Sequence, residues 1–395
     1  MRPRQFTSLF LALPLAAQQT WNVSPPGANL TAAVAAAQHG DTIVLAAGFY
    51  NVGAGITTSR GIAMIGAPGA TIYGAGRGPV LTVTQLPTGR SFVMQGIAVD
   101  MGGFHDYAIL VTSNQGAVHF SRCQFSNSST DFSVADEFWV QGCQNVSLTD
   151  CTTQRLTFYA IESNVQLARC SLVGLRARVV SVTYGRSAGL ALWVQGARVT
   201  LAQCSATGGD GEGQFPGAAA ISSFMATASL TITGDASDAI RAGAASGALA
   251  SPAIENLGPP LTIASAIRLV PNPGQPAISG PFTNAPRPIA TAAQTGPRGG
   301  SVAVTVIADV GEILWLFLGE PSAPWPIPGL GHVWVRPDRV ATIGSGVAGF
   351  GGLWTATIPI PALPFLRAVP FTVQALSAGV VGPARFSAPC TFVIE

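Results

Sequence analysis

Val118-His-Phe-Ser-Arg-Cys123, Val146-Ser-Leu-Thr-Asp-Cys151, Val165-Gln-Leu-Ala-Arg-Cys170 and Val199-Thr-Leu-Ala-Gln-Cys204 are one pattern written four times in succession. Two apolar residues stand two apart, and a cysteine follows three positions later. The apolar pair recurs without the cysteine at Ile62-Ala-Met64, Phe92-Val-Met94 and Leu230-Thr-Ile232. Alternation of period two is the mark of a strand. A unit of about 20–35 residues that holds strands and no helix is a solenoid repeat, here a parallel β-helix.

A second strand precedes each core strand by a few residues. The copies are Tyr107-Ala-Ile-Leu-Val111, Phe138-Trp-Val140, Phe158-Tyr-Ala-Ile161, Ala191-Leu-Trp-Val194 and Ala218-Ala-Ala-Ile221. Trp139-Val-Gln-Gly142 and Trp193-Val-Gln-Gly196 are nearly identical. The segment after the cysteine varies most. It is short after Cys151 and swells at Gln124–Glu137, Ser171–Gly189 and Ser205–Gly217. Insertions at one point of a solenoid repeat emerge on one side, often the binding side. These segments carry most of the charge of the cysteine-bearing coils: Asp131, Asp136, Glu137, Arg176, Arg178, Arg186, Asp210 and Glu212, with Tyr184 among them. Arg155 lies in the short one, and His105 and Asp106 in the coil before.

Asn29–Gln38 reads as a short helix with Asn29 as N-cap, and Asp41–Tyr50 as a strand. Gly40, Asp41, Thr42, Ile43, Leu45, Gly48 and Tyr50 resemble the N-terminal cap of pectin-lyase-like right-handed β-helix proteins. The resemblance implies a helix that plugs the open end of the hydrophobic cylinder. It implies nothing about activity.

Charged residues are only 10% of the chain, which has 46 glycines, 29 prolines and a net charge of +2. There is no lysine, so Schiff-base and P-loop chemistry are excluded. The near-neutral charge gives no basic face for nucleic acid. Arg2 and Arg4, the apolar run over residues 6–15 and Ala16-Ala17 form the pattern of an export signal. That places the protein outside the cell or on its surface. No later apolar run is long enough to span a bilayer. In an exported chain the four repeat cysteines have two readings. They form an inward stack of thiols, the favoured one, or the disulfides Cys123–Cys151 and Cys170–Cys204, because neighbouring coils lie about 4.8 Å apart.

From about Ser237 the repeat decays, and residues 258–300 read as a terminal coil and a Pro-rich linker. Residues 301–395 hold short strands between turns, the pattern of a β-sandwich. Pro328-Gly-Leu-Gly331, Thr357-Ile-Pro359, Phe371-Thr-Val-Gln-Ala-Leu376 and Phe386-Ser-Ala-Pro389 resemble a C-terminal β-sandwich of secreted planctomycete proteins. The expected organisation is therefore a signal over 1–17, an all-β right-handed parallel β-helix over 18–257, the linker, and the sandwich.

Two functions follow as expectations. The first is binding of an extracellular or cell-surface glycan, with Arg176, Arg178, Tyr184, Tyr159, Trp139, Trp193 and Asp210 as contacts. Outward aromatic residues stack sugar rings, and inward ones are core. Alternation sends one of Trp139 and Val140 inward without saying which. In a catalytic form, a lyase or hydrolase of an anionic polysaccharide, Asp131, Asp136, Glu162, Arg155 and Arg186 would converge on one substrate. The Asn-x-Asp, Asp-Asp, Gly-His-Gly and Arg-x-Lys signatures of β-helix hydrolases are missing from the sequence. The second is a structural or adhesive surface protein. No cofactor is implied. Calcium at Gly208-Gly-Asp-Gly-Glu-Gly213 has too few ligands to be expected. The capped solenoid requires no partner, so a monomer is expected. His119, between inward Val118 and Phe120, points outward.

Overall fold

The chain is described here from a computed structural model. It covers residues 18–74, 78–102, 108–128, 137–179, 185–186, 188–213, 215–235, 237–245, 250–264, 266–284, 288–292, 295–328, 330–350, 352–363, 366–367, 369–379 and 383–394. The export signal over 1–17 lies outside the described residues, as do His105 and Asp106.

Residues 20–285 form one compact unit, a parallel β-helix. Each coil places one strand in each of three parallel sheets. The repeated Val-x-Leu strands, such as Asn145–Thr149, build the eleven-stranded sheet A. Three-residue strands just after the cysteine, such as Thr152–Gln154, build the nine-stranded sheet B. Strands such as Thr157–Ile161 build the nine-stranded sheet C. The swollen segments thus begin as strands, at Gln124–Ser126, Ser171–Val173 and Ser205–Thr207. Their described parts beyond these strands, such as residues 174–177 and 208–213, leave the cylinder between sheets B and C.

The sheets extend through the segment read as linker. Leu261–Ile263, Arg268–Val270, Ile278–Ser279 and Phe282–Asn284 pair with the coils before them. Proline sits there at corners rather than in the ladder, where its missing N–H would break pairing.

The corners are built by single left-handed residues. Arg122, Asp150, Arg169 and Gln203, each just before a repeat cysteine, have φ of 51° to 53° and turn sheet A into sheet B. Such backbone is costly without glycine, and it persists because both flanking strands over-determine it. The charges there pair along the axis, with the Arg169 guanidinium 2.8 and 2.6 Å from the two Asp150 oxygens.

Inside, Phe120, Phe125, Phe138 and Phe158 stack edge to face and tilted, with centroids 4.7 to 5.5 Å apart. All six cysteines are buried thiols outside any disulfide. The four repeat cysteines form an inward stack in which thiols donate to carbonyls of their own and the preceding coil, as Cys170 does to Ala168 and Leu148. Burial pushes the Cys151 and Cys204 thiols well up. Cys143 belongs to a second inward row, between Asn114 and Ser163. The Asn114 amide there satisfies the Leu86 N–H and the Val83 carbonyl at 2.9 Å.

The capping helix runs Gly27–Ala36, two residues earlier than expected. Pro26 is its N-cap, and the Asn29 amide donates to the Ser24 carbonyl, so Asn29 caps nothing. Asp41–Tyr50 is two strands, Thr42–Leu45 and Gly48–Asn51, because Gly48 at φ 135° makes the first corner. The cap motif has a physical basis. Asp41 Oδ2 accepts from the Gln38 N–H at 2.8 Å and from the Trp21 indole at 3.2 Å. The buried Tyr50 hydroxyl lies 2.8 Å from the Val23 carbonyl and 2.9 Å from that of Ala46.

The C-terminal unit is a β-sandwich. Ile289–Ala292, Ser301–Ile307 and Leu353–Pro359 form one antiparallel sheet. The long hairpin Ile313–Ile327 and Gly331–Val347 forms the other, with Pro370–Ala378 and Cys390–Ile394. Val302, Val304, Leu314, Leu316, Val373 and Phe392 fill the core between them.

Candidate binding site on the outer face of sheet C

The alternation within Glu137–Gln141 resolves the open question about Trp139. Phe138 and Val140 are buried inward and Trp139 faces out, half-buried. Register then aligns Leu110, Trp139, Tyr159, Trp193, Ser222 and Glu255 on successive coils. Phe158, grouped with these aromatics from its repeat position, faces in and belongs to the core. Trp139 and Tyr159 have centroids 5.0 Å apart at 32°, and Tyr159 and Trp193 6.0 Å apart at 35°. At these separations the rings are stacked on one another along the solenoid axis.

The stack has chemical consequences. Both faces of Tyr159 are covered by indoles, and no sugar ring fits between. On its other side Trp139 is matched in register by Leu110 of the preceding coil. Half-buried Trp193 is followed in register by Ser222, which is buried. Beside it, in the next outward row, Gln195 pairs with Phe224, which is well exposed. Glu255 follows Ser222 one coil further on. Across the nine strands of sheet C the charged residues are Glu137 and Glu255, both acidic.

The remaining expected contacts are spread out. Arg155 is exposed at the corner entering Thr157–Ile161, with φ 59°, and Glu162 is exposed at the corner leaving it, with φ 47°. Six residues, five of them in one extended strand, separate the two by about 20 Å. Glu162 holds a corner position: its N–H donates to the Gln195 carbonyl at 2.9 Å. Arg178 and Arg186 pair across a two-residue antiparallel ladder in the loop before Leu192–Gln195. Asp131, Asp136 and Tyr184 lie outside the described residues.

Arg176, Asp210 and Glu212 do gather, in the corner loops of neighbouring coils. Arg176 Nε lies 3.9 Å from Glu212 Oε2 between exposed side chains, a weak attraction in water. Asp210 Oδ1 accepts from the Ala244 N–H at 2.8 Å and its carbonyl from the Ala177 N–H at 2.7 Å. The glycines there serve packing. A Cβ at Gly209 would collide with the Leu175 carbonyl of the preceding coil. Among the described residues, no three His, Cys, Asp or Glu side chains gather to hold a metal ion.

Leu110, Ser222, Phe224 and Glu255 were not singled out from the sequence. The signal was the dipeptide Ala-Ile/Leu, at Ala108-Ile109, Ala191-Leu192, Ala220-Ile221 and Ala253-Ile254. Its buried alanines carry the coil-to-coil bonds from Ala191 N–H to Ala220 and from Ala220 N–H to Ala253. Aligning Val194 with Ile221 instead shifts that coil by two and hides Ser222 beside Trp193.

No protein-family model matches the chain, and no curated protein does. Among solved structures, a superoxide reductase (neelaredoxin) from Ignicoccus hospitalis is similar at 13% identity and a TM-score of 0.20. The match covers 28% of this chain and 80% of that one. At that score it carries no argument about fold or activity.

Proposed function

We propose that the chain is an exported, pectin-lyase-like β-helix that holds a neutral or amino-bearing glycan at the Trp193 end of the aromatic ladder without cleaving it. Its C-terminal module would be the sandwich type of secreted planctomycete proteins. The observation that carries the reading is the half-buried indole of Trp193, whose next partner in register is Ser222 and not a further ring, so that the ladder ends on an aromatic face. A pyranose ring stacks on such a face. Gln195 and Glu255 then meet its hydroxyls, and Phe224 borders it. The acids on this sheet disfavour a uronate polymer, so the glycan is neutral or carries amino groups. Hydrolysis needs a carboxyl pair across the scissile bond; in the outward row that follows Trp193 the described carboxyl is Glu255.

The test is retention of the protein in native gels cast with neutral, amino and uronate polysaccharides. Trp193→Ala should weaken retention by about tenfold or more, the effect of losing one stacked ring. Trp139→Ala should change it little. Equal retention of wild type and Trp193→Ala, or none on any glycan, defeats the proposal. Unsaturated uronates released in the presence of calcium would establish the lyase alternative instead.

A further inference from the structure

At one end of the C-terminal sandwich two loops carry a group of uncovered apolar side chains. Ile313 pairs with Val347, and Leu353 with Ile307, at the ends of their strands. Val310 and Phe350 occupy the connecting loops. Phe350 is 105% exposed, and Val310, Ile313, Val347 and Leu353 are 45% to 66% exposed. Phe350 is thus fully exposed at the tip of its loop. Scattered surface hydrophobes need no explanation, but five together on one tip do.

The tip is preformed. Gly311 N–H donates to the Ala348 carbonyl at 2.9 Å, Ala348 N–H to that of Glu312 at 2.9 Å, and Ala308 N–H to that of Gly352 at 2.8 Å. These bonds stitch the two loops together. Trp354 lies beneath them against Gly344 and Gly346, and a Cβ at Gly346 would strike its indole. The loops carry only two charges, Asp309 and Glu312. Both face Arg385, at 3.8 and 3.6 Å.

We propose that this tip inserts into an uncharged lipid surface. A protruding, rigid, apolar apex fits a fluid hydrocarbon boundary, and insertion orders nothing that is not already ordered. Its one basic neighbour, Arg385, faces the two acids, so the tip has no net positive charge to attract anionic head groups and zwitterionic lipid suffices. A second copy fits less well. Two identical convex tips meet poorly, and these side chains offer on the order of 500 Å², short of the roughly 800 Å² per partner of a standard interface. The inference is independent of the glycan site.

The experiment is flotation of the intact chain with phosphatidylcholine vesicles, with light scattering of the same protein alone. The wild type should float equally at low and high salt. Phe350→Ser removes a fully exposed side chain, so the fold is unaffected, and it should lower partitioning by about tenfold or more. Val347→Ser should act in the same direction. Failure to float overturns the proposal, as does undiminished flotation of Phe350→Ser. Flotation only on anionic vesicles, lost in salt, would mean electrostatic attachment elsewhere. A dimer that Phe350→Ser dissociates, without flotation of the wild type, would assign the tip to a second copy.

Discussion

His119 faces away from the coil interior, as alternation demands, yet is 1% exposed. Its Nδ1 lies 2.7 Å from Ser147 Oγ, and its buried Nε2 has no partner. Outward on a strand is therefore not outward to water. Burial pulls its pKa from 6.5 to about 3. Between those values the unfolded chain binds a proton that the folded chain refuses. Stability should therefore be constant above pH 6.5 and fall as pH drops through that window, by up to about 1.4 kcal/mol per pH unit. Burial lowers the His39 pKa in the same direction, so the share of His119 is isolated by difference. Urea midpoints for wild type and His119→Asn across the window should converge as pH falls. Parallel curves would mean that the imidazole is not excluded from water.

At the scale of elements, one strand carries two stacks of opposite character. Phe158 faces the core and Tyr159 the outer ladder, so neighbouring substitutions separate the two contributions. Phe158→Ala should cost about 3–5 kcal/mol through lost burial and the cavity left. Tyr159→Ala removes two ring contacts, each worth about 0.5–1.5 kcal/mol beyond area, and should cost about 1–3 kcal/mol. Tyr159→Phe keeps the rings and should cost less than Tyr159→Ala. Urea unfolding ranks the three, and a neutral Tyr159→Ala would show that the ladder adds nothing to sheet pairing. The strands of sheet A were legible because one face is buried along every coil, which prints a Val-x-Leu period on the sequence. Sheet C was legible as strands but not in register, because its outer row mixes Leu, Trp, Tyr, Ser and Glu. The three-residue strands of sheet B are too short to print any period and hid inside the loops after the cysteines. In the sandwich, the prolines of Pro321-Ser-Ala-Pro-Trp-Pro326 concealed the far half of a hairpin. The hairpin tolerates them through register shifts near Pro321. The chemistry was least legible. Charges that looked grouped along the chain, such as Arg155 and Glu162, occupy opposite corners of one strand.

For the whole molecule, the governing property is that each coil of the β-helix touches mainly the coil before and the coil after. Stability is then a sum of coil terms and neighbour terms, and damage at one end need not reach the other. The first end is closed by the helix Gly27–Ala36, with Leu30, Ala33 and Val34 buried over the first coil. Arg60 ties the helix down through the Ala35 carbonyl at 2.7 Å and that of Ala37. His39 Nδ1 accepts from the Gly61 N–H at 2.9 Å. A chain lacking residues 18–37 would expose Ile43, Leu45, Tyr50 and Ile56 together with the open edges of the first coil. Exposed parallel edges over an apolar end recruit other chains. The truncated chain should therefore associate, as read by light scattering. Its amide protection should be lost over residues 42–58, weakened over 63–84, and unchanged from Ile109 onward. Such decay along the axis is the signature of nearest-neighbour coupling. A uniform loss of protection from the first coil to Asn284 would show instead that the β-helix folds as one cooperative block, with the helix part of its nucleus rather than a plug on its end.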